Sequence, residues 1–331
     1  MAQTKMKAEQ LAYFPNRNAI INGGMDVWQR GTSFAVGAIT EAYTADRFNV
    51  YSGAGSVTLS RQAPALTGFR YCLRAQRDAG QTTVGNVYLS YTLETTDSIP
   101  FQGKAVTVSF YARKGTDFSS SSNSLICRLA SGTGTDERLV VGFTNDATVV
   151  TSTTTLTTSW VRVSMTGTVG ASVTQLGIMF VRGGTGTAGA NDYCEITGVQ
   201  LELGSVATPF EMRPYVTELA LCLRYCYVPK PLVYGKIGIG LAISTTAAQI
   251  LVGLPIEMRT VPILTATATD WQLSIQVNAW DLTTIERTDY HCSQTEIVID
   301  AVVASGLTQG IPVFLAADGT ADRIMVISAE L

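Results

Sequence analysis

Between residues 57 and 203, apolar side chains recur at alternate positions in short runs separated by turn-forming residues, and no helical run interrupts them. The clearest run is 105–112. Val106, Val108 and Phe110 fall on one face, and Thr107, Ser109 and Tyr111 on the other. A period of two is the mark of a half-buried strand. Runs at 57–61, 71–74, 86–93, 125–129, 138–143, 160–166, 175–181 and 195–203 read the same way, and the Thr/Ser tract 151–155 suits an edge strand or a loop. Evenly spaced short strands of this kind predict a β-sandwich, with a jelly roll as its expected form. The glycine-rich stretch 183–189 reads as a surface loop. It does not lead from a strand into a helix, so it lacks the context of a phosphate-cradling loop.

The pattern changes once. Val199, Leu201 and Leu203 alternate with Gln200 and Glu202, Gly204-Ser205 marks a turn, and Pro214 stands where a helix can start without its missing N–H. Tyr215, Leu219, Cys222, Leu223 and Cys226 then follow at three- and four-residue spacing, one apolar helix face. Beyond it, 237–244, 249–254, 263–267, 271–279, 296–303 and 323–329 read as strands, with a turn at 258–262 enforced by Pro262. The expected class is all-β: a short arm at 1–16, a jelly-roll β-sandwich at 17–213, a linking helix at 214–227, and a second, smaller β-sandwich at 228–331. No internal repeat suggests a repetitive shaft.

Charged residues make up 15% of the 331-residue chain, hydrophobic ones 46%, and the net charge is −3. That composition describes a folded chain rather than a disordered one. It gives no basic footprint for nucleic acid. No apolar run is long enough to span a membrane, and no apolar segment follows Lys5 and Lys7 to make a signal peptide. The six cysteines lie in apolar patterns without a metal-binding spacing, so buried free thiols and cytoplasmic synthesis are expected.

Three stretches carry a resemblance. Asn18-Ala19-Ile20-Ile21-Asn22-Gly23-Gly24-Met25-Asp26-Val27-Trp28-Gln29-Arg30-Gly31 looks like a domain start, and Tyr43-Thr44-Ala45-Asp46-Arg47-Phe48 like an internal signature. The run from Gly198 to Glu211, continued by Arg213-Pro214-Tyr215 and Leu219 to Tyr227, looks like a domain junction. Together they resemble tail fibre and minor tail proteins of tailed bacteriophages that carry a jelly-roll domain similar to carbohydrate-binding modules. The resemblance covers roughly residues 17 to 227; the rest of the chain resembles the family only loosely. It implies a virion protein assembled in the host cytoplasm, a homotrimer joined to other phage tail proteins through the arm at 1–16, and multivalent attachment to a bacterial surface glycan or protein. It implies a trimer interface at Tyr215, Leu219, Cys222 and Cys226. Their alternative role is packing within their own domain. No cofactor is expected. Jelly rolls of this type often hold a structural calcium, for which Asp26, Glu195 and Glu202 would be the oxygens.

Catalysis finds little footing. His291 is the only histidine, and no G-x-S-x-G nucleophile elbow occurs. Glycoside hydrolysis would need a carboxylate pair drawn from Asp26, Asp46, Asp192, Glu195, Glu202 and Glu211. Sugar binding needs flat aromatic faces beside planar polar groups. In the first domain Trp28, Tyr43, Phe48 and Tyr51 surround Asp46 and Arg47, a group better suited to packing, with Asp46 and Arg47 forming a fixed ion pair or capping backbone groups. In the second, Trp271, Trp280, Tyr290 and His291 lie near turns with Asp270, Asp281 and Asp289, and are the expected glycan or receptor contacts at a distal tip, with core packing of some of them as the alternative. The two competing functions are a glycan depolymerase, or its binding module, and a capsid or tail decoration protein that binds only virion proteins.

Overall fold

The computed structural model describes residues 17–275, 278–288, 290–319 and 324–331. The arm expected at 1–16 and Asp289 lie outside the described residues. The chain divides into two compact units, 17–218 with Leu331, and 219–330.

The first unit carries β1 (Ser33–Val36), β2 (Thr40–Tyr43), β3 (Asn49–Ser52), β4 (Val57–Gln62), β5 (Cys72–Arg77), β6 (Asn86–Thr92), the single turn α1 (Thr95–Ser98), β7 (Ala105–Lys114), β8 (Ser124–Gly132), β9 (Ala147–Thr155), β10 (Val161–Thr168), β11 (Gln175–Gly183) and β12 (Tyr193–Leu203). They build two six-stranded sheets, in the orders β1-β4-β5-β12-β7-β10 and β2-β3-β6-β11-β8-β9. This is the expected jelly-roll sandwich. The Thr/Ser tract is part of β9, an edge strand as its polarity demands. Between the sheets Val106, Val108, Phe110, Leu129, Ile178 and Leu201 are fully buried, and Phe110 meets Phe180 edge-on at 4.8 Å.

Residues 138–143 are not a strand. They form turns, closed by Val141 N–H to Arg138 O and Gly142 N–H to Leu139 O, with Gly142 at φ 101°. Leu139 and Phe143 turn inward to bury beside Ala130, so their spacing reflects a local cluster and not a pleat.

Two of the stretches that carry the resemblance are knitted together by hydrogen bonds. Asn18 Nδ2 donates to Val199 O at 3.0 Å, Asn18 Oδ1 accepts from Leu201 N–H at 3.1 Å, and Ala19 N–H donates to Leu201 O at 2.9 Å. The third stretch joins them: Asn22 Nδ2 donates to Asp46 O at 3.0 Å, and Asp46 Oδ1 accepts from Gln29 N–H at 2.9 Å. Arg47 donates to Thr92 O, so this acid and base cap backbone groups as expected. Trp28 is core, 6% exposed.

The helix α2 spans Tyr215–Leu223, its first amides bonding to Pro214 O. It ends earlier than the expected 227. Tyr225 N–H bonds back to Cys222 O, and Cys226–Tyr227 is already a strand, β13. The second unit continues with β14 (Lys236–Ala242), β15 (Ala247–Gly253), β16 (Ile263–Ala266), β17 (Trp271–Ile275), β18 (Asn278–Arg287), β19 (Glu296–Val303), β20 (Pro312–Ala317) and β21 (Met325–Ser328). It is all-β, as expected. Six strands, in the order β14-β15-β19-β18-β17-β20, close into a barrel, and β13-β21-β16 form a separate small sheet. Closure leaves those six strands without an open edge.

Candidate functional site

The outer face of the β1-β4-β5-β12-β7-β10 sheet gathers aromatic and guanidinium groups. Leu73, Ala75, Cys194, Ile196, Phe110 and Ala112 point into the core, so the residues between them, Arg74, Glu195, Tyr111 and Arg113, point out. Registers align Ser33, Ser60, Arg74, Glu195 and Arg113 in one row across five strands. Trp160, one residue before β10, completes the row beside Arg113, whose guanidinium carbon lies 5.0 Å from the indole centroid.

Glu195 is fully buried and saturated at the centre of this row. Its Oε1 accepts from Arg74 Nε at 2.8 Å and Nη2 at 2.6 Å, and its Oε2 from Arg113 Nε at 2.5 Å. Both arginines remain about a quarter exposed, at 22% and 23%. Arg74 stacks 3.8 Å from the centroid of Tyr193. Arg162 sits over Tyr111 on this face, whereas Arg61, opposite core-facing Leu73, lies 4.3 Å from Tyr71, which packs against the core. Trp160 is fixed by its own Nε1–H, which donates to Pro64 O at 2.7 Å. These stacked pairs hold planar donors and ring faces side by side.

One end of the face is closed. After β12 the chain folds back over it: Thr107 Oγ1 donates to Gly204 O, Arg162 to Thr208 O, and Glu202 takes both the amide and the hydroxyl of Thr208. Before the fold-back, β12 bulges at Gly198, which has φ 62°. A Cβ there would meet Phe69 at 2.8 Å and Tyr111 at 2.9 Å, so only glycine fits. Phe69 in turn packs on Tyr111 and Phe210.

The six carboxylates considered for hydrolysis have other partners or surroundings. Asp46, Asp192, Glu195 and Glu202 are buried and hydrogen-bonded, and Glu211 accepts from Asn18 N–H at 2.6 Å. Asp26 is half-buried with Oδ1 unpartnered, and burial raises its pKa, partly offset by Arg70. Glu195 and Glu202, two of the three oxygens named for calcium, are already engaged. Among the described residues no three His, Cys, Asp or Glu side chains gather as a metal site.

The distal residues expected from sequence do not form one site. Trp271 is fully buried in the barrel core, because it begins β17 with its side chain inward. Trp280 is half-buried near one end of β18, close to Gly306. Tyr290, 75% exposed, and His291 follow the other end. From Trp280 to Arg287 the strand runs roughly 23 Å at ~3.3 Å per residue. Of the residues expected at a trimer interface, Cys222 and Cys226 are fully buried within the single chain, Leu219 is half-buried, and Tyr215 is 51% exposed.

The Arg–Glu–Arg row was missed in the sequence. Its members lie 121 and 82 residues apart, and only strand register aligns them. The available signal was a single charged residue set between apolar neighbours, as in Leu73-Arg74-Ala75 and Cys194-Glu195-Ile196.

No family model matches the chain, and no curated protein does. Among solved structures, similar chains include the enzymatically active domain of tailspike protein 4 from bacteriophage CBA120, at 10% identity, 57% of this chain, 22% of that one and a TM-score of 0.35. The CBM22-1 xylan-binding domain of Paenibacillus barcinonensis Xyn10C is similar at 12% identity, 53% of this chain, 95% of that one and a TM-score of 0.32. A putative sugar-binding protein of Bacteroides thetaiotaomicron is similar at 10% identity, 56% of this chain, 100% of that one and a TM-score of 0.37. The chain thus spans less than a quarter of the tailspike chain. At these values the likenesses do not bear on function.

Proposed function

We propose that this chain is an adhesin of a phage virion, a tail fibre or tail-tip protein that attaches the particle to a bacterial surface by binding glycans without cleaving them. The observation that carries the binding role is the open end of the first unit's outer sheet face, where Trp160 and Tyr193 present partly exposed rings beside Arg113 and Arg74. A pyranose has an apolar face for such rings and hydroxyls for such donors. The virion setting rests on the tail-fibre-like stretches at 18–31, 43–48 and 198–227. Attachment would be multivalent, each weak contact multiplied by effective concentration.

Self-association is part of this proposal. Phe314, Ile239, Leu251 and Val298 form one outward row across four barrel strands, with Leu241 beside it. Ile239, Leu241 and Leu251 are 54%, 51% and 44% exposed. An apolar band of that kind favours packing against further copies of the chain. Light scattering should give a mass near three times 35.3 kDa. Binding of the purified protein to bacterial cells, followed by release of surface polysaccharide, tests the role. Retention on cells without release of reducing sugar is expected; turnover would make the protein a depolymerase.

A further inference from the structure

We infer that the glycan taken by this face is acidic, carrying carboxylate or phosphate groups. This rests on the binding reading above and adds its chemistry. The chain as a whole is acidic, at −3. Its outer sheet face is the reverse: Arg74, Arg113 and Arg162 stand there with Glu195, and Glu202, under the fold-back, pairs with Arg17 at 3.6 Å. Asp78 and Asp117 lie beyond the strand ends.

The donors on this face are only partly used. Arg113 gives its Nε to Glu195 and makes no other hydrogen bond among the described residues. Arg74 and Arg113 converge on the single carboxylate of Glu195, which leaves a net positive charge that a bound anion can balance. Arg162, exposed on the neighbouring strand, lies diagonal to Arg113. These cations are arginines, whose planar forks match a carboxylate or phosphate in a way that a lysine point charge does not. A sugar ring stacked on Trp160 would place a ring substituent within reach of the Arg113 and Arg162 donors.

The test is an array of bacterial capsular and lipopolysaccharide glycans probed with the full chain. Uronic-acid, sialic-acid and phosphate-bearing polymers are set beside neutral ones. Binding confined to the acidic polymers is expected, weakening as salt rises from 0.05 to 0.5 M by ~several-fold. Arg162→Gln lowers it on the order of ten-fold. Arg162 does not hold the buried Glu195, so the variant should fold, and an unchanged melting temperature checks this. The acidic polymers that bind distinguish carboxylate from phosphate. Equal binding of neutral polymers, unaffected by Arg162→Gln, overturns the acidic class and leaves the glycan reading standing. Binding to none of the glycans, with cells still bound, overturns both in favour of a protein receptor.

Discussion

Arg113 donates its Nε to Glu195 Oε2 at 2.5 Å, across neighbouring strands of one sheet. Glu195 has no solvent exposure, so Arg113 and Arg74 together supply the hydrogen bonds its charge needs in place of water. Removing Arg113 leaves half of a buried carboxylate unanswered. Arg113→Ala should cost ~2–3 kcal/mol, below the ~3–5 kcal/mol of a fully buried pair because Arg113 is partly solvated. Urea unfolding measures it. An unchanged midpoint would show that Glu195 is not held as described.

Arg77 and Asp192 form the deeper anchor. Arg77, 4% exposed, donates to Asp192 Oδ2 at 3.1 Å and to the carbonyls of Gln81, Thr83 and Gly186 at 3.0 Å. Arg182, 1% exposed, donates to Asp192 Oδ1 at 2.5 Å. One guanidinium thus pins two loops, the glycine-rich 183–189 among them. Arg77→Met should destabilise the first unit by about 3–5 kcal/mol, and limited proteolysis should then cut first within 78–85 or 183–189. Protection of both loops in the variant would contradict this.

The cysteines should be inert while the chain is folded. All six are free; five are buried and Cys292 is half-exposed. Burial pushes Cys72 to about 12 and Cys194 to about 11, and raises Cys127 as well. The reactive thiolate is then scarce at pH 8. Mass spectrometry after brief alkylation should find the label on Cys292 first, and on all six only in denaturant. Early labelling of Cys72 or Cys194 would be inconsistent with the packing.

Asp26 predicts a pH signature. Burial raises its pKa above 3.8, with Arg70 pulling the other way. The native chain therefore keeps this proton to a higher pH than the unfolded chain does. The stability this contributes is complete below 3.8 and is lost as pH rises through the raised value. Asp26→Asn removes that loss, so its melting temperature relative to the unsubstituted protein should be higher at pH 7 than at pH 4. The opposite order would mean that Asp26 is held as a charged partner.

Alternation made the sandwich legible, because strands such as β7 and β12 are long enough to repeat it. The four-residue strands β1, β2 and β3 are too short to show a period, and 138–143 shows one for a different reason. The stretches that carry the family resemblance proved to be a structural knot: Asn18, Asn22 and Asp46 use their side chains on backbone groups. Trp271 illustrates the limit at the site. An aromatic residue near Asp270 and a turn looks like a loop tip until the barrel register turns it inward. The Arg74–Glu195–Arg113 row is the converse case, since its chemistry appears only when three strands distant in sequence lie side by side.

The most direct measurement compares cell binding by Trp160→Ala with binding by a Tyr290→Ala, His291→Ala double variant, each checked for folding by circular dichroism. Loss of binding at Trp160, with retention in the double variant, is the expected result and places recognition on the outer sheet face. Retention at Trp160, with loss in the double variant, would contradict it and return recognition to the second unit.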